Sequence, residues 1–113
     1  IPLADKEAYA TRIGHGAAIS VMDRGSIPSR KMVAQIMKLA KEHNIPVQYR
    51  EATSGGNDAG AIQAARAGCP VASISVPCRY IHTPFALASM SDMKAARDIL
   101  VLFLRSVEGG FRP

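Results

Sequence analysis

Ala17-Ala18-Ile19-Ser20-Val21-Met22 is the stretch on which the fold turns. It follows Gly14 and Gly16, is mostly apolar, and is too short for a helix of ordinary length, so it reads as a buried strand. Asp23-Arg24-Gly25 turns the chain. Beyond the turn, Met32, Val33, Ile36, Met37 and Ala40 recur at intervals of three and four, which places one apolar helix face between Ser29 and Asn44. Lys31, Lys38, Lys41 and Glu42 take the wet face, Ser26 or Ser29 serves as the cap, and Asn44-Ile45-Pro46 ends the helix because proline restricts the residue before it.

Working outward, Val47–Glu51 alternates weakly and is a second strand, leading into the loop Thr53-Ser54-Gly55-Gly56-Asn57-Asp58. A helix from about Asp58 to Ala67 stops at Gly68, where a left-handed cap fits. Val71–Val76 is a third strand closed by Pro77, and a last helix starts near Ser91-Asp92. That helix is expected to bury Met93, Ala96, Ile99, Leu100, Phe103 and Leu104 and to end at Gly109-Gly110. Strands and helices alternating through short connections predict an α/β layered sheet with flanking helices. Residues 1–13 show little periodicity and read as a lead-in.

Composition narrows the function classes. Apolar residues at 48% and charged residues at 20% describe a globular chain with a core. The basic residues behind the net charge of +5 are scattered from Lys6 to Arg112 and not clustered, which argues against nucleic-acid binding. No apolar run is long enough to span a membrane. Cys69 and Cys78, flanked by apolar segments, are expected as small buried hydrophobes in a reducing compartment, the cytoplasm. The chain starts at Ile1-Pro2 instead of methionine, so the expectation is a segment of a longer polypeptide.

Two stretches carry candidate chemistry. Pro77-Cys78-Arg79-Tyr80-Ile81-His82-Thr83-Pro84 joins a strand to a helix, where α/β proteins place ligand loops, and a proline at each end stiffens it. Neutral imidazole is the commonest metal ligand and a frequent base, so His82 stands out, although a histidine in a purely structural role is the commoner case. Cys78 lies four residues before His82, but the paired cysteines of a structural zinc site are missing. The second stretch, Ser54–Gly60, allows close backbone approach and presents amides at a helix start without matching a phosphate or dinucleotide loop. Asp58 either caps the helix or belongs to a site. From these residues alone, a non-catalytic α/β module binding an anion or a partner through Ser54–Gly60 remains open.

Four stretches taken together resemble one family: Gly14-His15-Gly16-Ala17 with Val21-Met22-Asp23-Arg24; Ile45-Pro46-Val47-Gln48; Ser54-Gly55-Gly56-Asn57-Asp58-Ala59-Gly60; and Pro77–Pro84. The resemblance is to the tetrahedral glutamyl and leucyl aminopeptidases, also called cellulase-like or endoglucanase-like proteins. It implies a C-terminal segment, residues 1–113, of a zinc-peptidase-like (phosphorylase/hydrolase-like) catalytic domain, hydrolysing N-terminal residues of peptides with two divalent ions, zinc or cobalt. His82 falls on a metal ligand of that family. Asp58, Arg79 and Asn57 fall near its site as supporting or substrate-contacting residues, and Asn57 stands where the family usually has threonine. The other ligands and the general-base glutamate are expected upstream, leaving this segment inactive by itself. A homo-oligomer, in the family's form a tetrahedral dodecamer, is also implied.

Overall fold

The computed structural model describes residues 11–22, 28–51, 58–65, 68–80 and 82–113. Its elements run β1 (Ala17–Met22), α1 (Arg30–Glu42), β2 (Val47–Glu51), α2 (Asp58–Ala64), β3 (Ile74–Ser75), β4 (Cys78–Arg79), β5 (Leu87–Ala88) and α3 (Met90–Glu108). The three-stranded sheet has the order β2-β1-β3, and β4 and β5 form a separate hairpin. This is the α/β layering that the alternation of patterns predicted.

β1 is the centre of the molecule. Ala17, Ala18, Ile19 and Ser20 are all buried, so both faces of the strand are covered, which is why its sequence does not alternate. Ala17 and Ile19 pack with Ile36 and Ala40 of α1 and with Ala95, Ile99 and Phe103 of α3. Both long helices therefore sit over one core.

The strand directions decide where the ends of the chain's excursions fall. β2 runs parallel to β1, with Ala17 opposite Val47 and Ser20 opposite Arg50. β3 runs antiparallel, with Ala18 opposite Ser75 and Ile19 opposite Ile74. The Ser20 amide donates to the Ser73 carbonyl at 3.1 Å and the Ser29 amide to that of Val71 at 2.8 Å, so the 71–75 segment follows β1 backwards.

Local chemistry explains the boundaries. Ser29 caps α1, its hydroxyl accepting from the Met32 amide at 3.4 Å. The other end is closed by Asn44 in the left-handed region, φ 54°, with the Ile45 amide donating to the Ala40 carbonyl at 2.9 Å. Asparagine at that position, more than the proline after it, ends the helix. At the end of α3, Gly110 (φ 114°) lets the Phe111 amide reach the Ser106 carbonyl, and the Phe111 ring meets Phe103 edge-on at 5.8 Å between centroids.

Three expectations need correction. α2 ends at Ala64, earlier than Ala67. Residues 78–88 were expected as open loop and instead contain the β4–β5 hairpin. In α3 the buried residues are Asp92, Ala95, Ile99 and Phe103, whereas Met93, Leu100 and Leu104 are exposed. The helix is rotated so that the Asp92 carboxylate faces inward, toward the start of β1.

Candidate functional site

Since β3 runs against β1, the segment after it emerges beside the start of β1. There the chain builds the hairpin that carries His82. Cys78 pairs with Ala88 and Arg79 with Leu87, and Tyr80 and residues 82–86 are the described part of its loop. Tyr80 and His82 both adopt positive φ, 60° and 61°, which L-residues seldom do outside turns and functional loops. Thr83 Oγ1 lies 2.5 Å from the Tyr80 carbonyl oxygen and 3.3 Å from that of Phe85, so its one proton serves the inside of the loop. His82 is exposed at this tip, with Tyr80, Phe85 and Leu87 also exposed around the loop. Arg79, on β4, is exposed as well.

The root of the hairpin adjoins the Gly14-His15-Gly16 turn. Asp92, in the first turn of α3 and only 1% exposed, accepts from the Gly14 amide through Oδ2 at 2.7 Å and from the Gly16 amide through Oδ1 at 2.9 Å. Gly16 (φ 101°) abuts Pro46 so closely that a Cβ there would lie 2.2 Å from the proline carbonyl oxygen. Gln48 completes the arrangement: its Oε1 accepts from the Arg12 amide, and its Nε2 donates to the Arg12 and Gly16 carbonyls, each at 2.9 Å. Residues 12–16 are thus held from two sides. The sequence reading did not single out Asp92 and Gln48 as the residues that hold this turn; Asp92 reads there as an ordinary acid at a helix start.

Asp58 opens α2. Its neighbour Ala59 shares a cavity of about 570 Å³ with Met32, Ile62 and residues 70–75, beside the start of α1 and the beginning of the 71–75 segment. Asn57 and the rest of the glycine loop lie outside the described residues.

Among the described residues no three His, Cys, Asp or Glu side chains come together to hold a metal ion. His82 offers one exposed imidazole, which suits one coordination position and no more. Cys69 and Cys78 are free and exposed, contrary to the buried placement expected, with the Cys69 thiol 3.2 Å from the Ile62 carbonyl oxygen.

The model of the M42 glutamyl aminopeptidase family matches residues 2–99. The chain belongs to the M42 family. A glutamyl aminopeptidase of Lactococcus lactis subsp. cremoris is 30% identical over 96 residues, 85% of this chain and 27% of that protein. The structure of an aminopeptidase from the archaeon Desulfurococcus kamchatkensis superposes with a TM-score of 0.82 at 30% identity, over 88% of this chain and 29% of that one. PhTET1, a dodecamer in its crystal, matches with a TM-score of 0.70 at 26% identity, over 80% of this chain and 26% of that one. This chain therefore spans between a quarter and a third of the length of these M42 relatives.

Proposed function

We propose that this chain is the C-terminal segment of an M42 metalloaminopeptidase and that His82 supplies one ligand of its dinuclear metal site. The carrying observation is the hairpin: it displays an exposed imidazole, on a loop of unusual backbone, at the end of the sheet where β3 hands over. Family membership supplies the reaction class, hydrolysis of N-terminal residues from peptides. The two divalent ions, zinc or cobalt, would supply Lewis acidity and an acidified water.

Within this chain, His82 holds a coordination position and Arg79, three residues away on β4, lends a cation for the substrate. Asp58 and Asn57 are supporting or substrate-contacting residues in the same reading. The remaining ligands and the general-base glutamate belong to sequence outside these 113 residues. Assembly into a homo-oligomer, up to a tetrahedral dodecamer, is part of the same reading and is supported by the dodecameric neighbour. The cytoplasm is the proposed compartment; the two free thiols fit its reducing chemistry. Among the described residues no helix is long and apolar enough to cross a membrane.

The test is made on the complete polypeptide that carries this chain. About two divalent ions per chain are expected, together with release of N-terminal residues from peptides. His82→Ala should lower metal occupancy and cut kcat/KM by at least about a hundredfold. A parent that binds no metal, or a substitution without effect, refutes the assignment.

A further inference from the structure

We propose that Asp92 is a positioning residue for His82, fixing the root of the hairpin so that the imidazole is held at its metal; the inference rests on the functional reading above. The hairpin's own hydrogen bonds, among the described residues, are internal: the β4–β5 pairs and the Thr83 contacts with Tyr80 and Phe85. Its orientation relative to the sheet is therefore set where its two arms leave the body of the molecule. One arm continues β3 through the buried Pro77. The other passes from Ala88 through Ser89 directly into α3, so the start of α3 fixes that arm.

Asp92 is what fixes the start of α3. An acid in the first turn of a helix ordinarily serves the helix's own amides or its dipole. Here both carboxylate oxygens point away from the helix and accept from Gly14 and Gly16 instead. Those amides belong to a turn that cannot retreat, since Gly16 is in contact with the Pro46 backbone and Gln48 bonds the same segment from its other side. Bonds between an ionised carboxylate and amides are among the stronger ones in a protein, and each would break if α3 shifted or rotated at its start. Asp92, ten residues from His82 along the chain, thus transmits the position of a rigid turn to the hairpin arm that ends at Ala88.

The complete polypeptide is prepared as wild type, Asp92→Asn, Asp92→Ala and His82→Ala. The dissociation constant for Co²⁺ and the visible spectrum of the bound ion are measured well below the unfolding temperature, with far-ultraviolet circular dichroism to establish folding. Asp92→Asn, isosteric and keeping one acceptor oxygen, should weaken Co²⁺ binding about tenfold and change the spectrum, with Asp92→Ala weaker again. If Asp92→Ala does not fold, the asparagine variant carries the comparison. Wild-type affinity and spectrum in a folded Asp92→Asn that has only lost thermal stability would overturn the proposal while leaving His82 as a ligand. If His82→Ala itself leaves Co²⁺ binding unchanged, the metal reading falls and this inference with it.

Discussion

Gly14 and Gly16 stand two residues apart with similar backbone angles, φ 88° and 101°, yet only one is hemmed in. A Cβ at Gly14 would meet nothing within 4 Å, while one at Gly16 would strike the Pro46 carbonyl. Gly14→Ala should therefore cost only the left-handed strain, about 1–2 kcal/mol. Gly16→Ala adds a backbone collision and should cost more, about 3 kcal/mol or above. Urea unfolding of the two variants checks the difference, and equal losses would show that the Pro46 contact yields. The pair Gly14-x-Gly16 was visible in the sequence as the lead into a strand. The reason for it was not, because the two partners of those amides and of that close approach, Asp92 and Pro46, lie 76 and 30 residues away from Gly16.

α1 shows how far local rules reach. Its apolar face, its Ser29 cap and its end near Asn44 were all legible, since each depends on residues within one or two turns. Asn44 holds a left-handed φ that glycine adopts with less strain, so Asn44→Gly should stabilise the protein by up to about 1 kcal/mol and Asn44→Ala should destabilise it by about 1 kcal/mol. Ser29→Ala should cost about 1 kcal/mol. Thermal or urea unfolding curves serve for all three. A stable Asn44→Ala would mean that Pro46 terminates the helix after all. α3 marks the limit of such rules. Apolar residues surround much of it, so periodicity alone could not choose between the face of Met93, Leu100 and Leu104 and the face of Ala95, Ile99 and Phe103. The choice is made by Asp92, whose carboxylate must face the Gly14–Gly16 amides. The β4–β5 hairpin was illegible for a related reason: strands of two residues carry no period to read.

For the molecule as a whole, the rotation of α3 leaves Met90, Met93, Leu100, Val101 and Leu104 exposed on one long helix. An apolar surface of that kind seldom stays in water. The 113-residue chain prepared alone should bind an apolar fluorescent dye in its folded state. Replacing Leu100 and Leu104 with glutamate should reduce that binding while changing folding stability by no more than about 0.5 kcal/mol per site. A loss of several kcal/mol would instead place those side chains in the chain's own core. The α/β class and the order of β1, α1, β2, α2, β3 and α3 were readable from the sequence. Strand direction was not: whether β3 runs with or against β1 depends on long-range pairing.

The carboxylate clasp of Asp92 also sets an order in time. It joins residues 78 and 76 positions apart, so during synthesis the Gly14–Gly16 turn emerges long before its partner exists. At ribosomal speeds that interval is roughly 4–15 s, far longer than a helix or hairpin needs to form. β1, α1 and β2 can associate in the meantime. The end of the sheet that carries His82 is completed only when α3 has returned to it, so among these 113 residues the proposed metal ligand reaches its final place after β1, α1 and β2.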